Sequence, residues 1–143
     1  MRKHLTTFSI FIIILCLLTI SCSTTKVEER EPIVLESSIS SIQKYGNLVL
    51  SLAKSDLDAI GAEYGDVFTL NINGITTSAP YCTSYSDVDL GNNVLRNDED
   101  TIIFAINMGD AANSYGIATK KTNPDKSYEW IFPEGKTIDD YTI

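Results

Sequence analysis

The sequence predicts an all-β fold, a small β-barrel or sandwich with one or two short helices. Three observations lead there. Short apolar runs rich in Val, Ile, Leu and Phe recur along residues 33–132, separated by turns containing Gly, Asn and Asp, which is the pattern of strands. Asn73-Gly74 stands between two alternating stretches, and that pair suits a type I′ turn, which needs positive φ at both central residues. Finally, Ile102, Ile103, Phe104, Ala105 and Ile106 form a continuous β-branched-rich run, the pattern of a strand buried on both faces.

The chain divides into three parts. Residues 1–21 read as a secretory signal, with Arg2 and Lys3 as the positive start, an apolar stretch over residues 8–20 and the small residue Ser21 at its end. The apolar stretch falls short of the roughly 20 residues that a membrane span needs. Leu18-Thr19-Ile20-Ser21-Cys22 resembles the lipobox of bacterial lipoproteins, although Thr19 stands where Leu is commoner; the resemblance implies lipidation at Cys22. An uncleaved anchor helix is the plainer alternative. Either way the expected address is the cell envelope, extracytoplasmic and held to a membrane, through a lipid anchor in the first reading. Residues 22–32 are polar and charged and read as a flexible tether, leaving residues 33–143 as a single β-barrel-like domain.

Composition excludes whole classes of function. From Cys22 onward the chain carries nine basic and nineteen acidic residues, a formal charge of −10, so it repels phosphate backbones and nucleic acid is not an expected partner. The single His, His4, lies in the signal, and with Cys22 lipidated only Cys82 remains as a thiol. Such a chain cannot assemble Ser-His-Asp or Cys-His catalysis, an internal disulfide or a Cys/His zinc site. Hydrolysis by paired carboxylates or a carboxylate-held cation stays open.

The elements follow in order. Ile33, Val34 and Leu35 begin the apolar pattern, and residues 37–44 alternate around Ile39 and Ile42, as a strand or an extended entry does. Tyr45-Gly46-Asn47 leads into a strand over residues 48–52. Ser55 and Asp58, spaced as a capping box, open a short helix over residues 56–60 that Gly61 ends. Residues 67–72 pair across Asn73-Gly74 with residues 75–81, where Pro80 points to an edge or exit. Residues 83–93 form a long loop of hydroxyls and carboxylates, residues 94–96 a brief strand, and residues 97–100 a polar turn before the central strand. Asn107, Gly109 and Asp110 then break the chain, and Asp110 caps a helical turn over residues 111–115 that stops at Gly116. Residues 120–126 read as a polar connection to a last strand at residues 128–132. No internal repeat is evident.

The ordered combination of Tyr45-Gly46-Asn47-Leu48, then Thr83-Ser84-Tyr85-Ser86-Asp87-Val88 with Gly91, then Ile102 through Asn107 with Gly109, Ala111, Ala112 and Tyr115-Gly116-Ile117, resembles one known module. It is similar to the C-terminal β-barrel domain of the S-adenosylmethionine hydroxide adenosyltransferase family, which includes chlorinases and fluorinases. The resemblance implies that Asn47 helps hold an adenosyl group, and it names Asn47, Tyr85 and Asn107 as candidate ligand contacts, with S-adenosylmethionine or adenosine as the ligand if there is one. In the family a Ser, often with an Arg or Gly, grips the methionine end just before the last core strand; here Asp98, Glu99 and Asp100 occupy those places. Three carboxylates repel a substrate carboxylate. The family's N-terminal domain, which carries its catalytic Asp, has no counterpart in these residues.

Each candidate also has a plainer reading. Asn47 suits the closing of a turn, and fold resemblance alone does not transfer a site. Asp87, Asp89 and Asn93 offer hard oxygens, yet they lack the later bidentate Glu of a calcium loop, so a solvated loop is expected and no metal. Cys82 suits a small buried hydrophobe. Trp130, between Tyr128 and Phe132, suits the core and a partner contact equally. The function expected is therefore a membrane-anchored lipoprotein carrying a non-catalytic binding or interaction domain, with a protein partner or a second copy. The alternatives are an accessory half of an adenosyl-group enzyme that needs a separate catalytic domain, or a truncated multidomain protein.

Overall fold

Residues 102–105 are apolar on both faces of their strand, so the strand they form must be covered from two sides. The structure, a computed structural model that describes residues 32–143, places it that way; the expected signal, most of the tether and Cys22 lie outside the described residues. In chain order the elements are β1 (Ile39–Ile42), β2 (Leu48–Ala53), α1 (Lys54–Ala59), β3 (Val67–Ile72), β4 (Ile75–Cys82), a 3-10 turn (Tyr85–Asp87), β5 (Asn93–Asp98), β6 (Thr101–Ile106), α2 (Ala111–Ser114), β7 (Thr119–Thr122), β8 (Tyr128–Ile131) and a second 3-10 turn (Ile138–Asp140). The fold is all-β with two short helices. Strands β1-β2-β6-β5-β4-β3 form one curled sheet in that order, and β7 and β8 form a separate hairpin.

Strand alternation sorts β6 between two apolar clusters. Ile102 and Phe104 join Leu48, Leu50 and Leu95 in the larger core, which α1 closes with Leu57, and α2 and the residues after it close with Ala111, Tyr115 and Ile117. Ile103 and Ala105 face the other way, onto Cys82 and Val94 with Tyr85 and Val88 packed over them. Each fully buried Ile, Leu or Phe stabilises the fold by roughly 1.5–3 kcal/mol relative to exposure.

The hairpin at residues 73–74 is present. Asn73 and Gly74 have φ of 50° and 79°, and Ile72 pairs with Ile75 across them. Asp110 caps α2, its carboxylate accepting from the Asn113 N–H at 2.9 Å.

Several expectations need correction. Helix α1 starts at Lys54, two residues early, because the Asp56 carboxylate accepts the Ala53 N–H at 2.8 Å and Ser55 caps nothing; Asp58 instead takes the Lys54 ammonium at 2.6 Å. Strand β5 runs on through Asn97 and Asp98, so the β5–β6 loop shrinks to Glu99 and Asp100, with Glu99 at φ 56°. Pro80 marks an edge only locally: β4 lies between β3 and β5 in the sheet order, but at Pro80 it is paired on the β3 side alone. The Tyr81 N–H donates to the Asp66 carbonyl on the β3 side, so Pro80 would have to donate toward β5, and the β4–β5 ladder begins only at Tyr81. Residues 120–122 of the polar connection expected over 120–126 belong to strand β7, which has no alternation to detect because all four of its residues are exposed.

The C-terminal residues return to the sheet. The Ser37 N–H donates to the Ile143 carbonyl at 2.9 Å, the Ile143 N–H donates to the Ser37 carbonyl at 2.7 Å, and the buried Tyr141 ring stacks on Phe132. This tail covers the outer edge where β1 begins.

Gly74→Val forces a β-branched residue to positive φ and should cost about 1–3 kcal/mol. A thermal melt should register the loss as a fall of several degrees.

Candidate functional site

The polar groups that the sequence singles out gather around the turn between β1 and β2. That turn is closed by its own backbone: the Gln43 N–H donates to the Asn47 carbonyl and the Gly46 N–H to the Gln43 carbonyl, each at 2.9 Å. Gly46 has φ of 87° and its carbonyl accepts the Ala112 N–H at 2.9 Å, so the turn is pinned to the start of α2. A Cβ on Gly46 would collide with the Asp110 carboxylate, the same group that caps α2. Only glycine fits both the backbone angle and the approach.

Asn47 projects from this turn. Its Nδ2 donates to Gln43 Oε1 at 3.0 Å and to the Tyr85 hydroxyl at 3.4 Å. Tyr85 rides on the 3-10 turn after β4, which is held from below by Asp87: one carboxylate oxygen accepts from the Ser84 N–H at 2.9 Å, the Thr83 hydroxyl at 3.0 Å and the Thr83 N–H at 3.1 Å. These donors, the Ser84 N–H foremost, hold the Asp87 carboxyl below the usual carboxylate range. The Arg96 guanidinium lies over the Tyr85 ring, 4.9 Å from its centre, and donates to Asp98 Oδ1 at 3.0 Å.

Asn107 ends β6 and ties it to the same loop. Its N–H donates to the Asn92 carbonyl, its Nδ2 to the Val88 carbonyl at 2.8 Å, and its own carbonyl accepts the Gly91 N–H. The fold therefore brings Asn47 and Tyr85 into direct contact, and links Asn107 to them through the loop that carries Tyr85 and Val88. Beneath lie Cys82, Val94, Ile103 and Ala105.

Other candidates do not converge. Asp98 pairs with Thr101 and Asn93 with Ile106, so the acidic Glu99-Asp100 loop sits at the far end of the β5–β6 ladder from Asn107. The Asn93 amide donates to Thr77 Oγ1 at 2.7 Å and to the Tyr115 hydroxyl at 2.9 Å, bridging the gap where β4 and β5 splay. With Asp87 committed to its own turn, Asp87 and Asn93 are not arranged around one cation. Cys82 is buried, and burial pushes its thiol pKa up. Trp130 is half-buried and packs against the larger core, edge-on to Tyr128 at 6.2 Å.

Two members of the cluster escaped sequence reasoning. Arg96 and Asp98 lie two apart on one strand and so share a face, a signal that was there to be read. Gln43 had none, because its role depends on a turn whose closure is set by Gly46. Chemically the cluster offers an amide, a phenol and a guanidinium over an apolar floor, groups that hydrogen-bond and stack.

A curled sheet of this kind, closed by short helices and bearing its polar cluster at the β1–β2 turn, defines a small half-barrel module. The family model described as the SAM hydroxide adenosyltransferase C-terminal domain matches residues 25–122, and the chain belongs to that family. The match ends with β7; β8 and the C-terminal tail lie beyond it. No curated protein matches the chain. Among solved structures, an uncharacterized conserved protein from Thermotoga maritima is similar, with 19% sequence identity and a TM-score of 0.55. The likeness covers 62% of this chain and 35% of that one, so this chain spans about a third of that protein and shares its fold over the part covered.

Asn47→Ala removes two side-chain hydrogen bonds from a half-buried turn, and each is worth about 0.5–1.5 kcal/mol. The variant should melt at lower temperature than wild type in a calorimetric scan.

Proposed function

We propose that this protein is a membrane-anchored, extracytoplasmic lipoprotein whose domain is a non-catalytic binding or interaction module of the S-adenosylmethionine hydroxide adenosyltransferase C-terminal type. One observation carries the non-catalytic part. The polar groups of the cluster are engaged with one another: Asn47 donates to Gln43 and Tyr85, Arg96 donates to Asp98 and stacks on Tyr85, and Asn107 donates to Val88. General acid–base chemistry needs a group whose pKa lies near the working pH and within reach of substrate. Asp87, held low, and Cys82, pushed up and buried, are both moved away from that range. The envelope address rests on the order of charged, apolar and small residues ending at Cys22.

A second reading is favoured by the contact between Asn47 and Tyr85, which joins two of the three residues that the resemblance names. In it the domain is an accessory half-site for an adenosyl group, completed by a separate catalytic domain. The Thermotoga maritima protein is much the longer chain, which fits a partner domain of that kind.

Incubated with S-adenosylmethionine, the chain from residue 23 onward should show no turnover, and adenosine should give no heat in a calorimetric titration at micromolar concentration. Micromolar binding that Asn47→Ala abolishes would replace the first reading with the second.

Cys22→Ser should move the protein from the membrane to the soluble fraction, because stable anchoring takes two acyl chains and the variant can carry none. Mass spectrometry of the wild-type protein should find Cys22 as a diacylated first residue; an intact Met1 would refute the anchor.

A further inference from the structure

The end of the domain that carries the β1–β2 turn exposes a rim of apolar side chains. Leu90 and Met108 flank the hydrogen bond from the Gly91 N–H to the Asn107 carbonyl and are 75% and 88% exposed. Two residues beyond Met108, Asp110 lies against Gly46, and next to Gly46 stands Tyr45, 72% exposed. The rim ends on the β7–β8 hairpin: the Lys120 ammonium donates to the Lys44 carbonyl at 2.7 Å and sits over the rings of Tyr45 and of exposed Tyr128, at 5.9 and 4.8 Å from their centres.

Charge on this rim differs from that of the chain. Lys54, Arg96, Lys121 and Lys136 are each held in an ion pair, whereas Lys44 and Lys120 make none among the described residues. Two carboxylates stand with them, Asp110, which caps α2, and exposed Asp89 beside Leu90. The rim is therefore balanced in charge on a strongly acidic chain. Tyrosines with an apolar ring and a polar tip, lysines whose stems lie along rings with their heads in water, and bare Leu and Met side chains suit the boundary between lipid headgroups and acyl chains.

We propose that this rim docks on the zwitterionic phospholipid surface to which the chain is anchored, with Met108 and Leu90 entering below the headgroups, Tyr45 and Tyr128 at their level, and the Lys44 and Lys120 ammoniums on lipid phosphates. The proposal rests on the reading of Cys22 as lipidated and adds the face that the domain turns to the bilayer. Tether length selects this occupant. Eleven steps of chain separate Cys22 from Ile33 and eleven more separate Ile33 from Lys44, so the tether reaches about 36–40 Å and the β1–β2 turn lies no farther than that from Ile33. A tether of that length lets the turn reach the surface in which Cys22 is held, and it makes docking intramolecular, so a small contact area suffices. A zwitterionic surface carries no net charge, so the acidity of the rest of the chain does not oppose the approach.

Fluorescence quenching on the full, acylated chain in phosphatidylcholine vesicles tests the docking. Cys82 is buried, so an introduced surface thiol takes the probe. A probe on Met108→Cys should be quenched by lipids that carry a nitroxide just below the headgroup. The same probe on Asp100→Cys should stay bright, because the β5–β6 loop stands roughly 17 Å away along the ladder. Leu90→Asp, at a side chain that the fold leaves bare, should keep the melting temperature and lower the docked-to-free ratio about tenfold, the effect of losing part of one leucine's burial. Equal quenching at positions 108 and 100, or quenching that grows with the density of protein on the vesicle and so marks contact between copies, would overturn the docking. Flotation separates the two readings: a chain that floats with the vesicles but leaves position 108 unquenched sinks this proposal alone, and a chain that does not float removes the anchor and this proposal with it.

Discussion

Burial of β6 on both faces is the constraint from which the remaining structure follows. Ile102 and Phe104 need cover on one side, Ile103 and Ala105 on the other, and the sheet must extend on both flanks of the strand to bond its backbone. The chain meets these demands with different material. Helices, the β1–β2 strands and the C-terminal Tyr141 supply the large core, while the loop after β4 supplies a thin second cover through Tyr85 and Val88. The second cover is where polar groups collect, because a loop lying on a sheet face brings its own backbone and side-chain hydrogen-bonding groups with it.

The site is thus a by-product of closure. Gly46 lets the β1–β2 turn press against Asp110, Asp110 caps α2, and α2 returns an N–H from Ala112 to Gly46. This closed circuit of contacts fixes Asn47, which in turn meets Tyr85 on the covering loop. Arg96 completes the group by stacking on Tyr85 while its charge is answered by Asp98. An acidic residue that looks hostile to an anionic ligand in one dimension is, in the fold, the partner of the one basic residue in the cluster.

Family membership and proposed role fit this picture without coinciding. The match to the SAM hydroxide adenosyltransferase C-terminal domain runs over residues 25–122, yet β8 and the tail that covers β1 lie outside it. The tail protects one sheet edge, and the edge it leaves is the uncharged β3.

The residues that local chemistry governs were legible in the sequence. Asn73-Gly74 needed no partner to specify positive φ, Asp110 capped the helix next to it, and the apolar run at residues 102–106 required burial whatever covered it. Where the outcome depended on distant contacts, the sequence was silent or misleading. Strand β7 is exposed throughout and exists because β8 pairs with it. Asn47 was singled out from a short motif, but its contact with Tyr85 spans 38 positions of chain and arises only when the loop after β4 folds over the second face. Periodicity and turn chemistry report what a residue needs from its neighbours in sequence; which strands lie at the edges, and which side chains meet across them, is decided by the packing of the whole sheet.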